Sequence, residues 1–153
     1  MRPGVRLGVD VGKARVGIAV CDRDGLLATP VATLVRVRAG QRAFGRLAEE
    51  YGPVEIVVGL PLSLSGGDTA STTDARGFAA AVAGWLEVPV RLVDERLSTV
   101  SAQRALHAAG RRTKGSRPVI DQVAAVIILQ NALDHERSAG HPPGATVDPD
   151  GGA

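Results

Sequence analysis

Apolar and polar positions alternate with a period of two at the start of the chain. Val5, Leu7 and Val9 are interleaved with Arg6 and Gly8, and a second β-rich run follows at residues 16–21, the pattern of two strands rather than a helix. Asp22-Arg23-Asp24-Gly25 is a turn signal. Residues 26–34 read as a third strand, interrupted at Pro30 in a way that suits a sheet edge. Three strands joined by short turns predict an antiparallel meander. The period then changes: Phe44, Leu47, Ala48 and Tyr51 fall at i, i+3, i+4 and i+7, an amphipathic helix that stops near Gly52-Pro53. Residues 55–60, EIVVGL, form a nearly continuous apolar run, as in a strand covered on both faces. A loop (PLSLSGGD) leads to a second helical stripe of Ala75, Phe78, Ala79, Val82, Trp85 and Leu86, and residues 90–94 give a fifth strand after Pro89. Ser98 is placed to cap a third helix over residues 99–109. Residues 110–118, GRRTKGSRP, read as a basic loop and residues 119–137 as a final helix. The run VAAVIIL in that helix would suit a strand by periodicity alone. Its alanines, its length and the polar Asp121, Gln122, Gln130 and Asn131 favour a largely buried helix.

The order βββ-α-β-α-β-α-α predicts an α/β fold: a five-stranded mixed sheet, a meander of three strands and then two parallel ones, flanked by helices. The chain has 153 residues, 44% of them hydrophobic and 22% charged, enough for one domain with a real core and too few for two. The expected domain is 1–139; residues 140–153 offer nothing to pack and predict a disordered tail. Cys21 is the only cysteine, which excludes a disulfide framework and a cysteine-based zinc site. No apolar run approaches the ~20 residues a membrane helix needs, and the N-terminal residues carry no secretory segment. The expectation is a cytoplasmic protein with no membrane partner. The net charge is +2 and the pI about 9.2, a weak pointer to acidic partners. All but two of the 18 basic residues are arginines, which fits compositional bias as well as it fits phosphate binding.

Three carboxylates stand on otherwise apolar elements. Asp10 ends the first strand, Asp94-Glu95 ends the fifth, and Asp121 opens the last helix, four residues before Ala125 and seven before Ile128, on a face directed at the sheet. Taken singly, each has a plain structural reading: a hairpin turn for Asp10, pairing with Arg96 or Arg91 for Asp94 or Glu95, and the helix dipole for Asp121. Ligands of open α/β sheets collect outside the carboxyl ends of strands. Carboxylates gathered there would repel one another, and a divalent cation with oxygen ligands, Mg²⁺ or Mn²⁺, removes the conflict.

Four segments in order carry a family resemblance: VDVGKARVGIAV with Asp10, Gly12, Arg15 and Gly17; IVVGLPLSLSG with Gly59 to Leu62 and Gly66; VDERLSTV with Asp94 through Val100; and DQVAAVIIL with Asp121, Ala124 and Ala125. The chain resembles the RuvX/YqgF family of small RNase H-fold proteins, described as Holliday-junction resolvases or pre-16S rRNA nucleases. The resemblance covers about three quarters of the chain, and Lys13 departs from the hydroxyl residue often found at its position. It implies an RNase H-like sheet and a catalytic metal site of Asp10, Glu95 and Asp121 holding Mg²⁺ or Mn²⁺. Neighbouring residues of a strand point to opposite faces. Glu95 is therefore chosen from the family pattern, with Asp94 paired to an arginine beside it. Gly12 would let phosphate and metal come close to the backbone.

A nuclease needs cations along the strand it cuts. Arg111, Arg112, Lys114 and Arg117 place four positive charges in the loop just before Asp121, and Arg15 and Arg96 flank the acids. The basic residues 36–42 suit a solvated connection. Phe44, Tyr51, Phe78 and Trp85 are the only aromatics, all on inward stripes, which excludes an extensive base-stacking surface. The expected partner is nucleic acid, structured RNA or branched DNA, and symmetric cutting of a four-way junction would require a homodimer. The expected activity is metal-dependent hydrolysis of phosphodiester bonds in processing the 5′ end of pre-16S rRNA, with junction resolution as its alternative. A non-catalytic nucleic-acid-binding module is the reading from another class. A sugar-kinase or actin-like ATPase is disfavoured, because the chain supplies one lobe and Gly12-Lys13 is followed by Ala14 rather than a P-loop Ser or Thr.

Overall fold

A computed structural model describes residues 1–96 and 117–149, the side chains of 117–120 excepted. Arg6–Val11 (β1), Arg15–Cys21 (β2) and Ala28–Val35 (β3) form the expected meander, β1 antiparallel to β2 and β2 to β3. Pro30 lies on the outer strand, beside a register shift between Ile18 and Ala19 of β2, where a residue without an N–H costs the ladder nothing. Gln41–Tyr51 (α1) leads into Glu55–Leu60 (β4), parallel to β1. Ala70–Trp85 (α2), capped by Thr69, crosses to Val90–Asp94 (β5), parallel to β4. Arg117–Ala139 (α3) includes the run VAAVIIL, so that segment is a helix.

The sheet has six strands, not five. Its order is β3-β2-β1-β4-β5-β6, and β6 is Ala145–Thr146, antiparallel to β5. Part of the segment after Gly140 therefore packs, through β6, Pro143 and Val147. Val147 is buried, and its N–H donates to the Val90 carbonyl at 2.8 Å. The edge of β5 offers unpaired backbone groups, and two residues with one buried valine satisfy them, too short a pattern for periodicity to register. A second difference lies at residues 110–118, where Arg117 and Pro118 already belong to α3; proline is tolerated in a first helical turn. The helix expected over residues 99–109 and the candidates Arg111, Arg112 and Lys114 lie outside the described residues.

Helices cover both faces. On one, α1 and α2 pack over Leu7, Val9, Ile18, Ile56, Val58 and Leu92. The rings of Phe44, Phe78 and Trp85 meet there, with centroids 5.7 to 6.2 Å apart. On the other, α3 lays Ala125, Ile128, Leu129, Ala132 and Leu133 over Ala19, Val57 and Val93. This second cover also buries charges at the start of two strands: Arg6 of β1 is 1% exposed and Glu55 of β4 3%. Buried charges need partners. Arg2 bonds Glu55 and Glu136 at 3.0 and 2.8 Å, Arg91 bonds Glu55 at 3.1 Å, and Arg6 lies 3.4 Å from Glu136.

Candidate active site

Strand register decides which acids meet. Gly8 pairs with Ala19 and Val57, Asp10 with Gly17, and Gly59 with Val93, so all of these share the face that α3 covers. Glu95 is two residues beyond Val93 and keeps that parity, its N–H extending the ladder to the Leu60 carbonyl at 3.1 Å. Asp94 is opposite Leu60 and points to the α1/α2 side. Its carboxylate accepts from the Arg96 backbone N–H at 2.8 Å and from the Arg96 guanidinium at 2.7 to 3.1 Å, which places its pKa below the usual range. Asp121 sits on the sheet-facing stripe of α3, in line with Ala125 and Ile128. Asp10, Glu95 and Asp121 thus reach one edge of one face from three elements.

Two glycines make that approach possible. A Cβ at Gly17 would collide with the Asp121 carbonyl oxygen, and one at Gly59 would stand 3.0 Å from the Glu95 carboxyl carbon. The first lets the start of α3 lie on β2, and the second lets the Glu95 head rest on β4. Glu95 is exposed as a residue, while its carboxyl end is the part set against the strand.

The acids resist ionisation together. Burial, then the charge of Asp121, pushes Asp10 up to about 6. Burial, then the charges of Asp10 and Asp94, pushes Glu95 up to about 7. The charge of Asp10 makes Glu95 harder to ionise, so the two titrate as a coupled pair.

Oxygen donors of this kind suit a hard cation, and two carboxylates completed by waters and substrate oxygens are the ordinary protein share of a Mg²⁺ site. Asp10 and Glu95 fit that share. Among the described residues, no three His, Cys, Asp or Glu side chains stand close enough to hold one ion. Asp121 is engaged with a cation of the protein itself: its Oδ2 accepts from Arg15 Nε at 2.8 Å.

The remaining candidates separate. Gly12 has both backbone groups engaged, its N–H on the Arg15 carbonyl at 2.9 Å and its carbonyl on Arg36 Nη1 at 2.8 Å, so it shapes the β1–β2 turn. Arg96 is committed to Asp94 and reaches the Leu64 carbonyl at 3.4 Å. Arg117 opens α3, with its side chain outside the description. Residues 36–42 are largely exposed, as a solvated connection should be, but sequence reasoning missed that Arg36 within them is half-buried. Its guanidinium grips Asp74 through two bonds of 2.9 and 2.8 Å and lies 4.9 Å from the Phe78 ring centroid. It thereby ties the turn after Asp10 to α2, beside a recess of about 420 Å³ lined also by Lys13 and Ser71. Gly17 and Gly59 stood inside the recognised motifs, but their helix-facing role needed the register.

Residues 4–135 match the model of the RuvX family, described as Holliday junction resolvase. The chain belongs to the RuvX family. A RuvX relative from Clavibacter michiganensis subsp. michiganensis is 62% identical over 150 residues, covering 96% of this chain and 93% of its own length. One from Leifsonia xyli is 55% identical over 97% of both chains, and one from Streptomyces coelicolor 54% identical over 97% of this chain and 90% of its own. Each is named "Putative pre-16S rRNA nuclease". Among solved structures, T. thermophilus RuvC in complex with Holliday junction substrate superposes with a TM-score of 0.63 at 19% identity, over 92% of this chain and 99% of that one. That likeness confirms the mixed, RNase H-like sheet and its flanking helices. No helix among the described residues is long and apolar enough to cross a membrane.

Proposed function

We propose that this RuvX-family chain is a divalent-metal-dependent nuclease that hydrolyses phosphodiester bonds while processing the 5′ end of pre-16S rRNA in the cytoplasm. The observation that carries the reading is the convergence of Asp10, Glu95 and Asp121 from β1, β5 and α3 on one sheet face, two of them resisting ionisation. Asp10 and Glu95 would hold Mg²⁺ or Mn²⁺, with Asp121 completing the set. When bound, such an ion polarises the phosphodiester and makes water nucleophilic near neutral pH. The chain contributes the placement. Asp94 keeps Arg96 at the rim, Arg36 steadies the turn that follows Asp10, and Arg15 stands within reach of a backbone phosphate. Arg111, Arg112, Lys114 and Arg117 would add sequence-independent phosphate contacts just ahead of Asp121.

The description of the family favours one further substrate, the four-way DNA junction, for which two copies would have to act symmetrically. The test is cleavage of a pre-16S leader RNA, single-stranded RNA and four-way DNA junctions with Mg²⁺ or Mn²⁺. Leader cleavage at a defined position by the wild type and its loss in Asp10→Asn, which removes a carboxylate of the proposed metal site, are expected. Preferential junction cleavage would transfer the function to DNA, and equal activity in Asp10→Asn would refute the site. Salt-sensitive binding without any cleavage would leave a nucleic-acid-binding module.

A further inference from the structure

Asp121 stands between two partners. Its carboxylate is bonded to Arg15 at 2.8 Å, yet its charge is felt at Asp10 on the neighbouring strand. Its backbone has little freedom, because its carbonyl lies against Gly17. Side-chain rotation is the movement left. While Asp121 serves Arg15, only Asp10 and Glu95 face a cation, and the three acids do not form one ligand set.

We infer that Arg15 and Asp121 exchange partners when substrate binds: Arg15 leaves Asp121 for a phosphate oxygen of the nucleic acid, and Asp121 turns to the cation held by Asp10 and Glu95. The inference rests on the nuclease reading above and adds an order of assembly to it. The charges decide the direction. A phosphate offers Arg15 the same kind of oxygen pair that Asp121 offers, with the bidentate geometry a guanidinium favours. Asp121, once released, would be a third carboxylate beside Asp10 and Glu95, tolerable only with a cation present. A cation arriving alone must compete with Arg15 for Asp121. A phosphate arriving alone must leave the acids without a counter-charge. Each ligand therefore strengthens the other, and linkage makes the effect reciprocal.

The test reads binding rather than turnover. Mn²⁺ is titrated calorimetrically into the wild type and Arg15→Gln, with and without a phosphorothioate RNA hairpin carrying a 5′ single-stranded leader, whose integrity is checked afterwards. Without RNA, Arg15→Gln should bind Mn²⁺ several-fold more tightly than the wild type, because its Asp121 is already free. RNA should tighten Mn²⁺ binding to the wild type by about fivefold or more, and by clearly less in Arg15→Gln. Equal or weaker Mn²⁺ binding by an Arg15→Gln protein of unchanged Tm, or equal coupling in the two proteins, overturns the exchange. Should glutamine lower the Tm, RNA binding in EDTA decides. Asp121→Asn frees Arg15 and should bind RNA more tightly than Asp10→Asn, which removes the same charge but frees nothing; equal affinities overturn the exchange. Absence of cleavage by the wild type sinks the nuclease reading while these isotherms still report on the exchange, and absence of Mn²⁺ binding in both proteins overturns it.

Discussion

Single residues at this site have been placed against their own stability. Glu95 carries a pKa of about 7 in the folded protein against 4.5 for the free side chain, and Asp10 about 6 against 3.8. A carboxyl whose folded pKa is raised binds its proton more tightly when folded, so its contribution is complete below the unfolded value and is lost as pH rises through the folded one. The metal-free protein should therefore lose stability between about pH 4 and pH 7 from these two groups. Asp10→Asn and Glu95→Gln imitate the protonated acids. Each should raise the Tm in EDTA at pH 8 by about 2–4 °C and leave it unchanged at pH 4, and saturating Mg²⁺ should close the gap by stabilising only the wild type. Thermal unfolding of both variants across pH, with and without Mg²⁺, checks this. A gap as wide at pH 4 as at pH 8 would show that something other than ionisation separates them.

At the scale of elements, α3 is the part whose position matters most, and glycines on the sheet set it. Gly8 and Gly17 both lie under the helix. A Cβ at Gly8 would come 2.7 Å from the Leu129 Cβ and 2.9 Å from the Ala125 carbonyl oxygen, and one at Gly17 would strike the Asp121 carbonyl. Either alanine should cost about 1–3 kcal/mol as overpacking. Only Gly17→Ala acts at the end of α3 that carries Asp121, so it should also weaken Mn²⁺ binding in the presence of RNA about tenfold or more, equivalent to ~1.4 kcal/mol, where Gly8→Ala does not. Urea unfolding beside Mn²⁺ titration separates the two effects. The same helix marks what could be read from the chain alone. Its stripe of Asp121, Ala125 and Ile128 was legible because helical spacing is local, and so were β1 to β5 and the parity that separates Glu95 from Asp94. The bond between Asp121 and Arg15 spans 106 positions, and the fork of Arg36 on Asp74 spans 38. No local pattern signals such pairs. A two-residue strand such as β6 has no period to detect.

Among the described residues, two clusters of charge at opposite ends of β1 follow opposite logic. At the carboxyl ends of β1 and β5 the acids crowd together. At the other end of β1, Arg2, Arg6 and Arg91 neutralise Glu55 and Glu136 beneath the last turns of α3, tying the N-terminal residues to the helix. Arg91 also reaches the carbonyls of Pro143 and Gly144 at 3.3 and 3.4 Å, so the segment leading to β6 is anchored to the same group. Hydrogen bonds from Arg2 hold Glu136 down to about 2. Here the sign reverses: a depressed folded pKa contributes stability that is present above the unfolded value of 4.5 and is lost as pH falls through about 2. Removing one partner of a buried pair typically costs about 3–5 kcal/mol. The Arg2 side chain is 43% exposed, so solvent already shares its charge, and Glu136→Gln should cost about 2 kcal/mol near neutral pH. The cost should shrink as pH falls from 4.5 toward 2, because the glutamate of the unfolded wild type then takes up its proton while the folded one must give up its ion pair. Metal affinity at pH 7.5 should not change, since the substitution lies at the far end of β1 from Asp10. Parallel acid-unfolding curves for Glu136→Gln and the wild type would instead assign the acid limb to other carboxylates and leave Glu136 a packing role alone.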